Sequence, residues 1–336
     1  MSIVYTIIIL CVLILTHEFG HFAVAKLNGI FVEEFSLGMG PKIVQWKGKE
    51  TKYSLRIFPI GGYVKMNGED EASEEPNAFC QKSVLARMAV VFSGPAMNFI
   101  FAIIFFMVAY MYFGVPSQST VIGEVMADKP AAAAGIETGD RISQIDGVVV
   151  SEWLEAVEMI RQNAGKELNL VMERDGSTYN TEVTPVLDEQ VGYGILGITQ
   201  SVDKVNIIES VKLGCVQTYN FSKLLLVSLY QMATGQMKVE VAGPVGMVGM
   251  VGDYAEVGFM YLFLFAGILS INLGIINLLP FPALDGSRLL FLAIEGIRGK
   301  PIDPNKEGFM NFVGLMVLLG LMVLITYNDI IKLIGG

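Results

Sequence analysis

The sequence predicts a polytopic α-helical membrane protein with four transmembrane helices, a membrane-associated β element on the cytoplasmic side and one inserted α/β domain. Three observations carry this. Of 336 residues 53% are apolar, and the mean hydropathy of +0.54 exceeds that of an ordinary soluble chain. The apolar residues fall in blocks, from about Met1 to Ala25, Ala86 to Phe113, Val257 to Leu279 and Phe309 to Thr326, each of a length suited to crossing a bilayer. Between Val115 and about Ser201 the composition changes to acidic residues, short strand-like runs and regular turns. The net charge of -10 lies largely in the loops and this insert, which argues against nucleic acid as a partner. Cys11, Cys80 and Cys215 lie far apart without C-x-x-C spacing, so neither a disulfide framework nor a cysteine zinc site is expected.

The first span lacks a basic start and a small-residue cleavage site, and is read as retained. Its stretch from Leu10 to Lys26 places His17, Glu18 and His21 within five positions of an apolar run. Ionisable groups at membrane depth cost several kcal/mol each unless paired or metallated, so such clustering calls for a function. On a helix His17 and His21 stand one turn apart on one face and can share a zinc ion. Glu18 then sits beside the metal, where a carboxylate takes a proton from a metal-activated water. This is the H-E-x-x-H pattern of zinc metalloproteases, and these are the only two histidines in the chain. The bland alternative is a pair of hydrogen-bonded histidines within a helix bundle.

A polar stretch follows from Asn28 to about Lys82. Within it Thr51 to Val64 alternates apolar Tyr53, Leu55 and Ile57 with Lys52, Ser54 and Arg56 and turns at Gly61-Gly62, which predicts a hairpin or sheet with one apolar face. It is either a small surface hairpin or a sheet edge that holds a substrate in extended form. The second span opens with Ser93 to Phe99, where Gly94 and Pro95 permit close helix approach or a break. Asn98 is its notable polar group, and an interhelical hydrogen bond is the ordinary reading. In the insert, Val121 to Val150 reads as strand, small-residue helix, Gly-Asp turn, strand and a second turn at Asp146-Gly147. A helix from Trp153 to Gln162 and strands near Glu167 to Glu173 and Tyr179 to Thr184 complete a domain-sized unit.

Ile207 to Met232 is apolar but interrupted by Glu209, Lys212 and Lys223, which suits a helix at the membrane surface. The glycine-rich Val241 to Gly252 is expected to pack tightly or re-enter the membrane. The expected divisions are 1-114, 115-201, 202-256 and 257-336. Lys and Arg concentrate in the loops 26-87 and 280-308, which marks those loops as cytoplasmic and the insert as extracytoplasmic. With that topology the ends of the first and third spans share a side. Asp285, after Pro280 and Pro282 have broken the third span, can then supply a third zinc ligand; its other reading is a helix cap.

Together His17 to His21, Asn277 to Gly286 (NLLPFPALDG) and the insert resemble the site-2 protease family of intramembrane zinc metalloproteases, in its bacterial RseP-like branch. Phe58 to Met66, Ser93 to Phe99 and Ala242 to Gly246 extend the likeness over nearly the whole chain. Within the insert, Ala131 to Asp140 and Ile142 to Gly147 resemble a circularly permuted PDZ domain. The resemblance implies His17, His21 and Asp285 as zinc ligands, Glu18 as general base, and Asn277 and Pro282 as substrate-positioning residues. It also makes Gly61, Gly62 and Tyr63 part of a substrate-holding β element. The implied substrates are single-span membrane proteins, trimmed outside and screened by the PDZ-like domain, such as anti-sigma factors or signal-peptide remnants, met in the lipid of the bacterial plasma membrane. There is room for one PDZ-like domain where some relatives have two. A metal transporter would need further polar residues along the spans, and a non-catalytic PDZ scaffold leaves Glu18 unexplained.

Overall fold

The computed structural model of the chain describes residues 1-69, 71, 73-188, 192-237 and 242-335. In chain order its elements are α1 (Ser2–Leu27), β1 (Val32–Lys47), β2 (Lys52–Met66), α2 (Val84–Phe113), β3 (Val115–Pro116), β4 (Ile122–Val125), α3 (Pro130–Ala133), β5 (Arg141–Ile145), β6 (Val148–Val149) and α4 (Trp153–Gln162). There follow β7 (Leu168–Arg174), β8 (Ser177–Val183), β9 (Val186–Asp188), β10 (Tyr193–Ile195), β11 (Ile198–Gln200), β12 (Val202–Asp203), α5 (Ile207–Ala233), α6 (Pro244–Val257), α7 (Phe259–Leu278), α8 (Asp285–Arg298) and α9 (Pro304–Gly335). Two compact units result, one of Met1–Ala109 with Ile208–Gly336 and one of Tyr110–Ile207.

Within the first unit, α1, α2, α7 and residues Asn305–Ile334 of α9 are the four helices, among the described residues, long and apolar enough to cross a membrane. The chain is a multi-pass membrane protein. Helices α1 and α2 approach closely because Gly20 has no side chain: a Cβ there would run into the Ser93 backbone carbonyl. Pro95 lies inside α2 without ending it, so the Gly94-Pro95 pair serves close approach rather than a break. Gly267 receives the ring of Phe106 in the same way, where α7 meets α2.

The β element is larger than the alternation from Thr51 predicts. The half of β1 nearest α1 lies between the two halves of β2: Ser36 pairs with both Ser54 and Tyr63, and Leu37 with both Leu55 and Gly62. Gly61, at φ 84°, lets β2 bend back to do this. Glu34 fastens the layers, accepting hydrogen bonds from Ser54 Oγ at 2.6 Å and Arg56 Nη2 at 3.0 Å. Burial works to raise its carboxyl, but the bonds from Ser54, Arg56 and Tyr63 hold it down to about 2.

Helix α5 rests on α2 through small residues, with Ser210, Gly214 and Thr218 buried, and Phe221 stacks on Phe106 at 5.8 Å. The glycine-rich segment forms α6 and packs with α1 and α7 around Val251, Leu262 and Phe265; Val241 falls outside the described residues. The last helix, α9, is longer than the predicted span and largely exposed; Asp329 accepts the Gly246 N–H at 2.8 Å, capping α6.

The second unit has a four-stranded antiparallel sheet in the order β6-β5-β7-β8, flanked by the pairs β4-β11, β3-β12 and β9-β10. Ile142, Ile145, Leu168, Leu170 and Met172 from the sheet and Trp153 and Ile160 from α4 form its core. Asp146 (φ 50°) and Gly147 (φ 77°) make the β5-β6 turn, and Asp175 (φ 49°) and Gly176 (φ 77°) make the same turn between β7 and β8. Asp140, 1% exposed, accepts from Arg174 Nε at 2.7 Å and from Tyr179 Oη at 2.7 Å.

Candidate metal centre

The i, i+4 spacing on α1 brings the two histidines edge to face, with His17 Nε2 and His21 Nε2 3.2 Å apart. Gly94 on α2 makes room for them, since a Cβ there would strike His21 Nε2 and His17 Cε1. Asp285 arrives from the other end of the chain. Leu284 precedes α8 as its cap residue without a side-chain capping bond, so Asp285 is the first helical residue and not the cap. Gly286 allows this start, because a Cβ would collide with the carbonyls of Leu278 and Leu279 at the end of α7. The loop before it is held by α9: Ala283, at φ 74°, donates its N–H to Asn311 Oδ1 at 3.2 Å, and Pro282 packs where Gly314 has no side chain.

Asp285 Oδ2 lies 3.2 Å from His17 Nε2 and 3.4 Å from His21 Nε2. Among the described residues these three form a cluster whose ligand atoms all lie within 4.8 Å of one another, and Asp285 Oδ2 is buried without a hydrogen-bond partner. A tetrahedral ion with bonds of about 2 Å has ligand atoms about 3.3 Å apart, so this donor set fits zinc with a fourth position left open. Behind the two histidines, Val90 O accepts from His21 Nδ1 at 2.9 Å, and the amide of fully buried Asn98 approaches His17 Nδ1 at 3.0 Å.

The cluster opens on a cavity of about 270 Å³ whose walls include Glu18, Gly62, Tyr63, Val64, Asn277 and Arg288. A Cβ on Gly62 would lie 2.9 Å from Glu18 Cγ, so β2 runs directly past this carboxylate. Gly61 and Pro282 are not among the lining residues; the first turns the strand and the second packs on α9. Arg288 and Glu69 pair at the cavity wall, a contact no sequence pattern announced because it joins a loop to a helix 219 positions away.

The profile described as peptidase family M50 matches residues 5–321. A candidate zinc metalloprotease of Clostridium acetobutylicum is 39% identical over 332 residues, covering 98% of this chain and 97% of its own. The regulator of sigma-W protease RasP of Bacillus subtilis is 33% identical over 417 residues, covering 99% of each, and the zinc metalloprotease RasP of Geobacillus kaustophilus 33% over 413, covering 98% of each. Those two alignments are longer than the 336 residues here, so both relatives carry inserted residues that this chain lacks.

Proposed function

Because this chain belongs to peptidase family M50 and is an intramembrane zinc metalloprotease, we propose that His17, His21 and Asp285 hold its zinc while Glu18 is the base in cleaving a membrane protein within or near its transmembrane segment. The observation that carries the reading is the meeting of three ligand atoms at 3.2 to 3.4 Å from residues separated by most of the chain. Zinc bound there supplies Lewis acidity, polarising the scissile carbonyl and making a water acidic enough to ionise near neutral pH. Glu18 takes the proton of the attacking water and returns it to the leaving amine.

A transmembrane helix hides its peptide bonds, so the substrate unwinds before it is cut. The stretch Gly61 to Tyr63 receives the unwound segment as an added strand. Its support is the position of Gly62 and Tyr63 on the cavity wall, in a strand whose pairing is with β1. Asn277 positions the substrate from the same wall, while Pro282 acts through the loop that carries Asp285. The Lys and Arg bias of the loops supports an active site toward the cytoplasm of a bacterial cell and an extracytoplasmic Tyr110–Ile207 unit. In this reading that unit is PDZ-like and meets the trimmed end of a single-span substrate. The sigma-W regulator among the relatives favours an anti-sigma factor over signal-peptide remnants as that substrate.

The test uses the full-length protein in detergent with a single-span substrate. Glu18→Gln is expected to lower cleavage by about 10²–10⁴-fold and keep one zinc, while Asp285→Ala loses the zinc. Full activity in Glu18→Gln, or undiminished zinc in Asp285→Ala, overturns the assignment.

A further inference from the structure

We propose that Asn98 is the positioning residue for His17, its side-chain carbonyl accepting a hydrogen bond from His17 Nδ1–H and so aiming Nε2 at the metal. This rests on the zinc reading above and concerns a side chain to which that reading gives no role. His17 faces both His21 Nε2 and Asp285 Oδ2 at 3.2 Å through its own Nε2. A neutral imidazole that offers one nitrogen to a metal carries its hydrogen on the other. His17 Nδ1 is therefore a donor, and what it meets at 3.0 Å is the Asn98 amide.

An amide nitrogen in that place sets donor against donor. A half-turn about χ2 exchanges the amide's oxygen and nitrogen without moving the rest of the side chain. The oxygen is also the group in need: Asn98 is 0% exposed and its Oδ1 is buried with no hydrogen-bond partner. A buried acceptor without a donor has given up its water and received nothing in exchange. Turned to His17, the carbonyl gains the donor it lacks. His21 is already served in this manner by Val90 O, 2.9 Å from its Nδ1.

Asn98 is itself held in place. Ser270 Oγ donates to its backbone carbonyl at 2.7 Å, joining α2 to α7 at this level, and a Cβ on Gly274 would lie 3.4 Å from Asn98 Cβ. The direction in which His17 points is thus set from the second and third spans as well as from its own.

The chain has two histidines, so isotope-labelled histidine in the full-length protein in detergent gives two imidazoles to follow by nuclear magnetic resonance. Wild type, Asn98→Leu and Asn98→Asp are each titrated with zinc alone against a chelator. Wild-type His17 is expected to carry its hydrogen on Nδ1 with and without zinc. Asn98→Leu is expected to lose that preference and to bind zinc about 10–100-fold more weakly. Asn98→Asp, which offers only acceptors, keeps the wild-type tautomer and affinity, and His21 is unchanged in all three.

A wild-type result for Asn98→Leu, or an Asn98→Asp protein as weak as Asn98→Leu, overturns the proposal. Should Asn98→Leu not fold, Asn98→Asp decides alone: a carboxylate replaces a working carbonyl and fails to replace a working NH2. A wild type that takes up no zinc overturns the metal reading and this proposal together, whereas failure in the variants alone overturns only the latter.

Discussion

At Gly94 the protein has no room for even a methyl group, because the two imidazoles occupy the space where a Cβ would stand. Gly94→Ala is expected to force α2 away from α1 at a cost of about 1–3 kcal/mol and to weaken zinc binding, as chelator competition would measure. Gly20→Ala meets the Ser93 backbone, which cannot swing aside, and should be at least as damaging. Glu18→Gln works differently, since shape and burial are kept while the proton acceptor is lost. Turnover should fall by about 10²–10⁴-fold with one zinc retained, as metal analysis and single-turnover cleavage would report. His17, Glu18 and His21 were legible in the sequence because local spacing alone puts them on one helical stretch. Asn98 was legible only as a buried polar group, and the ring it serves is 81 positions away.

Among elements, α4 appears over Trp153–Gln162 as predicted, and Trp153, Ala156 and Ile160 are its buried residues. The Asp-Gly pair at 146-147 marks the β5-β6 turn in the sequence, and the identical pair at Asp175-Gly176 carries the same signal for the β7-β8 turn. The β element exceeds what alternation predicts because β1 needs burial from β2 and α1 to become a strand; its own outer half is exposed and carries no strict alternation. Beside the site, Gly62→Ala should push on Glu18 Cγ and the Ser36 carbonyl, lowering turnover with zinc content unchanged. In the other unit, the bonds from Arg174 outweigh burial and, with those from Tyr179 and the Glu137 N–H, hold the Asp140 carboxyl down from 3.8 to about 2. A depressed carboxyl stabilises the fold above its unfolded value, so this contribution of about 2 kcal/mol is complete above about pH 4 and is lost as pH falls through about 2. Trp153 fluorescence in a Trp46→Phe background should follow that loss, and Asp140→Asn should lower the same transition at neutral pH.

For the whole molecule, the cluster of His17, His21 and Asp285 joins α1 to the start of α8, while Tyr110–Ile207 closes its own core without it. Zinc at about 1,000 times its dissociation constant adds about 4 kcal/mol to the state that binds it. Chelation should therefore lower the melting temperature of the unit holding the histidines and leave the Trp153 transition where it was. The sequence by itself marked out four apolar blocks long enough to cross a membrane, a stretch of different composition between them and the i, i+4 histidine pair of α1, because hydropathy blocks, turn pairs and residue spacing are local and survive in any context. It offered Asp285 as a candidate third ligand by topology but left that open against a helix cap. Only the tertiary structure decided that Asp285 reaches both imidazoles, that Pro282 faces α9 while Asn277 faces the cavity, and that Asn98 stands behind His17. Those contacts depend on where backbones come close enough to touch, and that is governed by glycines at 20, 94 and 286 acting across helices rather than along any one of them.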